Sequence, residues 1–212
     1  MKKTLSIFLA LSIIFSGSYI FFEPRLMSAA YDEFTVSQSV TGEISLSNCG
    51  NINMSPAIAG LTGGVGTGTT TCAVTTSDTA GYTMSLSAST SPALKASTYT
   101  FADYTVAAGN VPDYTWSIGA SASEFGYTVE GSQTIVQAKF LDNGSACNTG
   151  TGQNAYKCWL NASTTNATIG YYANEITTST TTTIGFKAEV TSGRNQEEGS
   201  YTATIGITAV TN

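Results

Sequence analysis

The sequence predicts an all-β domain, an antiparallel two-sheet sandwich of immunoglobulin-like or jelly-roll-like kind, acting outside the cytoplasm. Three observations carry this. Apolar residues recur at every second position between clusters of turn-forming residues. The composition is rich in Thr (35) and Ser (25) and poor in Leu, Glu and Lys. Thr is β-branched, so it loses side-chain freedom in a helix and suits the outward face of a strand. Four cysteines, an even number, occur in a chain that opens with an export signal.

Taken in order, residues 1–30 read as a signal peptide. Lys2 and Lys3 form the positive start, residues 5–14 the apolar stretch, and Ser28-Ala29-Ala30 the small residues a signal peptidase reads. Cleavage is expected after Ala30. The alternative is an uncleaved N-terminal anchor, because residues 5–22 approach the length of a bilayer span. Residues 31–212 then form a single β-sandwich domain. A first strand is expected over residues 33–46, where Phe34, Val36 and Val40 alternate with Thr35, Ser37 and Ser39 and the pattern resumes at Ile44 and Leu46. Gly63-Gly64-Val65-Gly66-Thr67-Gly68 reads as a flexible connection, and Asp78-Thr79-Ala80-Gly81 as a tight turn. Tyr82, Met84, Leu86 and Ala88 mark another strand. So do Tyr114, Trp116 and Ile118, and then Phe125, Tyr127 and Val129. Asp142-Asn143-Gly144 is a turn. Ile184, Phe186, Ala188 and Val190 mark a late strand, and Tyr201, Ala203, Ile205, Ile207 and Ala209 the last. Nine to eleven short strands are expected in all.

The cysteines are expected to pair as Cys49–Cys72 and Cys147–Cys158, because each pair closes a short loop rich in Gly, Asn and Thr. A zinc site would need a Cys-x-x-Cys pair or His, and the chain has neither. Loss of residues 1–30 removes Lys2, Lys3 and Arg25 but only Glu23, leaving five basic residues against thirteen acidic ones. That balance argues against nucleic acid and anionic membrane surfaces, which need clustered Lys and Arg.

Without His, no Ser-His-Asp or Cys-His arrangement can be built. Paired carboxylates remain, and Glu124, Glu130, Asp103, Asp113 and Asp142 are the ones to weigh. Each reads more simply as a turn-forming or solvating residue, so no catalytic residue, metal ligand or cofactor site is expected. The Gly cluster lacks the Lys of a phosphate-binding loop. Residues 142–148 offer one carboxylate where a calcium loop needs several. The sequons at Asn53, Asn143, Asn161 and Asn166 are expected by chance in a chain this rich in Ser and Thr. The candidate ligand-binding residues are Trp159, Tyr171 and Tyr172, placed near loops where aromatic rings can stack on sugars or anchor a partner.

The closing segment, Gly199-Ser200-Tyr201-Thr202-Ala203-Thr204-Ile205-Gly206-Ile207-Thr208-Ala209, resembles the final strand of WxL-domain proteins, secreted wall-associated surface proteins of Gram-positive bacteria. Those domains carry Trp-x-Leu motifs. Here Trp159-Leu160 lacks the spacer and Trp116-Ser117-Ile118 has Ile for Leu. The ending is also similar, more weakly, to that of spore coat U and fimbrial-subunit domains, although Thr211 stands where those usually have Tyr. The WxL resemblance implies a bacterial cell-surface protein whose partners are a cell-wall polymer or other surface proteins. Residues 200–212 also carry no Lys or Pro to blunt a sheet edge, so a terminal strand is expected either to assemble by strand addition or, as the alternative, to pair with the first strand within the molecule. The expected function is therefore a secreted, non-catalytic surface structural protein. The alternative is an adhesin or carbohydrate-binding module using the loop aromatics.

Overall fold

A computed structural model describes residues 32–212. The expected signal peptide lies outside the described residues. The chain divides into two units, Met1–Ser39 and Val40–Asn212. The described part of the first, residues 32–39, carries no helix or strand, and Phe34 and Val36 are exposed.

The second unit is nearly all β. Its strands are β1 (Ile44–Ser47), β2 (Gly64–Thr76), β3 (Tyr82–Ala88), β4 (Lys95–Ala96), β5 (Tyr99–Thr100), β6 (Ala102–Asp103), β7 (Ser123–Gly131), β8 (Leu160–Asn161), β9 (Ala167–Tyr172), β10 (Ile176–Val190) and β11 (Ile205–Thr211). The larger sheet has the order β1-β2-β10-β7-β6, with β8 also paired to β7. The smaller has the order β11-β3-β9, and β4 pairs with β5 alone. All pairings are antiparallel except β6 with β7. The two sheets pack as a sandwich, as the alternation predicts.

The core follows from that alternation. Tyr82, Met84, Leu86 and Ala88 point inward from β3. They meet Phe125, Tyr127 and Val129 of β7 and Ile184, Phe186, Ala188 and Val190 of β10. Burying such side chains contributes roughly 1.5–3 kcal/mol each. Phe125 and Phe186, neighbours across the β7–β10 ladder, lie parallel with ring centres 5.8 Å apart.

Three expectations about elements are corrected. Residues 34–40 form no strand; pairing begins only at Ile44. The Gly63–68 cluster is not a linker but the start of β2, whose Gly64, Gly66 and Gly68 face Val190, Ala188 and Phe186 in register. The room left by absent side chains is filled from the loop after β1. A Cβ on Gly68 would fall 2.3 Å from Ile52 Cγ2, so the loop lies directly on the strand there. Residues 114–118 are not a strand either, and they cover the outer face of the larger sheet. Trp116 stacks on Tyr104 at 4.2 Å and meets Trp159 edge-on at 5.2 Å, with the Lys187 ammonium over its ring. Gly126 makes this layer possible: a side chain there would collide with the Leu160 carbonyl, Tyr104 and Trp116.

Candidate functional site

The strands β1 and β11 end their respective sheets and approach each other along one side of the sandwich. Among the described residues each has a partner on one flank only. In β11 the Ser89 N–H donates to the Thr204 carbonyl, and the register continues through Ile205↔Ala88. Hydrogen-bonded pairs alternate along an antiparallel ladder. Ile205, Ile207 and Ala209 therefore turn their backbone N–H and C=O groups away from β3, while their side chains pack toward the core. Among the described residues the outward flank of β11 is a row of unpaired backbone groups above an apolar face.

Beside this flank runs a groove of about 770 Å³. Its floor is core: Phe125, Ile184, Phe186 and Ala188. One wall is the loop after β1, with Ile52, Met54 and Ile58; the other is the segment leading into β11, with Tyr201, Ala203 and Ile205. The size is within the range of specific binding sites, and the lining mixes these apolar side chains with Asn51, Asn53, Gln196, Glu197 and Glu198. The Cys49–Cys72 disulfide ties the first wall to β2. Cys147–Cys158 also forms, so both expected pairings are present, with no free cysteine among the described residues.

One polar group lies in the groove without a partner. Gln196 is 7 % exposed, and its Oε1 accepts no hydrogen bond. Its Nε2 donates to the Tyr201 hydroxyl oxygen at 2.7 Å, and the Tyr201 O–H donates onward to the Glu197 carbonyl at 2.8 Å. That relay fixes the amide: the only Tyr201 proton is committed, so Gln196 must present its NH₂ to Tyr201 and its oxygen elsewhere. Sequence reasoning missed Gln196, because nothing in Arg194-Asn195-Gln196-Glu197 distinguishes it from a surface turn.

The aromatic candidates are not brought together as a platform. Trp159 is 3 % exposed, with its indole N–H donated to the Tyr156 carbonyl, so its faces are taken up by packing. Tyr172 is half-buried against the core, and Tyr171 is exposed. The carboxylates weighed for chemistry all accept from backbone amides. Asp103 takes Ala93 N–H, Asp113 takes Ala107 N–H, Glu124 takes Thr105 N–H and Glu130 takes Tyr156 N–H. Burial raises the Glu124 carboxyl above its ordinary value, with the Thr105 N–H opposing. Asp142 accepts from Gly144 N–H and from both the backbone and side-chain nitrogens of Asn154. Burial alone would raise its pKa, but these donors and Lys157 outweigh it and hold the carboxyl below the usual range. Among the described residues no group of three Cys, Asp or Glu side chains is placed to hold a metal ion.

No family profile, curated protein or solved structure matches the chain.

Proposed function

We propose that this chain is a secreted, non-catalytic structural protein of a cell surface that assembles by β-strand addition at the groove beside β11. The observation that carries the reading is the coincidence of a strand edge and a groove at one place. Among the described residues the outward flank of β11 pairs with no strand, and a groove walled by Ile52, Met54, Ile205 and Ile207 runs beside it. An extended segment answers both, pairing its backbone with β11 and setting alternate side chains on the groove floor. The two disulfides fit folding in an oxidising compartment, and the basic and apolar start of the chain fits export. The resemblance of residues 199–209 to WxL-domain proteins supports a bacterial wall as the setting.

The test is sedimentation velocity of the exported protein over a concentration series, together with fractionation of cells into medium, wall and membrane. Oligomers that grow with concentration, in protein recovered from medium or wall, are expected. Monomers at every concentration with β11 amides already protected from exchange would overturn the reading. Glycan recognition through Trp159, Tyr171 and Tyr172 has less support, because of these only Tyr171 is exposed. Glycan-array binding lost in Tyr171→Ala, but unaffected by the state of assembly, would favour it.

A further inference from the structure

We infer that the strand added to β11 is β11 of a second copy of this chain, paired antiparallel about a two-fold axis at Gly206. This rests on the strand-addition reading and names its partner. Residues 203–209 run Ala-Thr-Ile-Gly-Ile-Thr-Ala, the same in both directions, and Thr202 and Val210 extend the symmetry with β-branched side chains of nearly equal shape. Period-two alternation does not ask for a palindrome. An isologous contact does, because each residue meets its mirror position in the other copy. With the axis at Gly206, Ile205 lies opposite Ile207 of the second copy, Thr204 opposite Thr208, and Ala203 opposite Ala209. Moving the axis one residue, to Ile207, sets Ile205 against Ala209 and Thr208 against Gly206.

Gly206 supplies an independent observation. It is exposed, its φ is not positive, and a Cβ on it would meet only Ser87 Oγ and O, at 3.7 and 3.8 Å, in ordinary contact. Nothing among the described residues therefore calls for glycine, which weakens the interior of a strand. Close approach of a second backbone does call for it. Gly206 pairs inward with Ser87, so across the axis the two Gly206 residues form a non-hydrogen-bonded pair, the kind whose Cα atoms come closest, at about 4.5 Å. On either side Ile205 and Ile207, whose backbone groups face outward, form the hydrogen-bonded pairs. Thr204 and Thr208 then meet across the strands on the outer face, as hydroxyl pairs that stabilise a sheet. Charge permits this register. Residues 199–212 carry no charged side chain, and Glu197 and Glu198 fall outside the paired stretch 202–210. The β11-β3-β9 sheets of the two copies join into one continuous sheet. Because both copies use the same edge, the contact closes at a dimer.

The experiment is sedimentation of the exported protein and three variants over a concentration series, with circular dichroism to confirm that each is folded. Wild type is expected to stop at a dimer. Gly206→Lys and Gly206→Glu each set two like charges opposite one another at the axis and are expected to weaken dimerisation about tenfold or more. An equimolar mixture of the two is expected to recover it, because Lys then faces Glu. Thr204→Lys puts the same charge on the same face, but its two copies lie about 13 Å apart along the strands, beyond the screening length of about 8 Å. It is expected to cost less than about threefold. A larger loss in Thr204→Lys than in Gly206→Lys, or a mixture that stays monomeric, overturns the axis at Gly206. Variants that associate as wild type does, or wild type that grows past a dimer, overturn β11 self-pairing and leave strand addition standing through another segment. A monomeric wild type overturns self-pairing if its β11 amides exchange freely, and strand addition as well if they are protected.

Discussion

On the outer face of the larger sheet, Gly126 leaves a hollow that Trp116 fills, and Tyr104, Trp159 and Lys187 enclose it. At one end of the inner face, the buried Phe125, Ile184 and Phe186 lie beneath a groove of about 770 Å³. Both regions use the strands β7 and β10, on opposite faces of the same ladder. The outer face is served by long excursions, residues 104–119 and 142–159, the second stapled by Cys147–Cys158 and held at its base by the buried Asp142. The inner groove receives only a wall from each side. The fold can clearly cover an aromatic surface with its own chain. Where a groove instead runs beside a strand flank that is unpaired among the described residues, the physical expectation is that a further strand adds there.

The largest test of this contrast removes the self-made cover. Trp159→Ala takes out a buried indole that supports Trp116 and should lower unfolding free energy by about 3–5 kcal/mol. Denaturant midpoints measure it. Assembly of the surviving folded protein should be unaffected, because Trp159 lies away from the groove lining. Loss of assembly in folded Trp159→Ala would merge the two regions and break the comparison.

The disulfides sharpen it next. Replacing Cys147 and Cys158 by Ala opens a loop with a separation of 11 residues and should cost about 3 kcal/mol in the loop-entropy account, without changing self-association. Replacing Cys49 and Cys72 opens a longer loop, with a separation of 23, and should cost slightly more. It also frees the wall formed by residues 49–58, so it alone should weaken assembly. Sedimentation of the two paired variants, side by side, reads the difference.

How far the sequence revealed these regions depends on whether their logic is local. The inward residues of β3, β7 and β10 were legible because period-two alternation is written in consecutive positions, and the disulfides because their loops are short. Gly64, Gly66 and Gly68 read as a linker because glycine weakens an isolated strand. Only the fold reveals that Ile52 and Met54 occupy the space their side chains would need. Trp116 and Trp159 both bear on Trp-x-Leu-like segments, yet their contact spans 43 residues and leaves no trace in either segment alone. Residues 34–40 fail in the opposite direction. Their alternation matches that of β3 except at Gln38, but they form no strand in the described structure. A sequence pattern reports what a segment can pair with and is silent on which chain supplies the partner.

The base of the covered excursion has a pH signature that the groove lacks. The Asp142 carboxyl titrates lower when folded than when unfolded. Its stabilisation is therefore complete above the ordinary carboxylate value near 3.9 and is lost as pH falls through the lower folded value. Asp142→Ala strands the amide donors of Gly144 and Asn154 and should cost roughly 1–3 kcal/mol at neutral pH. The gap between variant and wild type should begin to narrow below about pH 4, where the unfolded chain takes up the proton, and close as pH falls through the lower folded value. Thermal melts at pH 7 and pH 3 check both statements. A constant gap across that range would mean that the residue acts through packing.

The smallest expected effect separates two kinds of unpartnered polar atom. Tyr127 is fully buried between Phe140 and Phe186, and its hydroxyl has no hydrogen-bond partner, like Gln196 Oε1. Burial pushes the Tyr127 phenol well above its ordinary value, so it stays neutral and contributes no charge at any ordinary pH. It differs from Gln196 in place, since Tyr127 does not line the groove and no incoming strand reaches it. Tyr127→Phe removes an unsatisfied hydroxyl at nearly constant shape, so stability should stay within about 0.5 kcal/mol or rise by up to about 1 kcal/mol. Association should be unchanged. Gln196→Leu, by contrast, also removes the Nε2 donor to the Tyr201 hydroxyl and should cost the domain roughly 1–3 kcal/mol. If Tyr127→Phe instead destabilises by more than about 1 kcal/mol, its hydroxyl has a partner, such as a buried water. The deficit at Gln196 Oε1 would then read the same way, as a buried atom met by solvent.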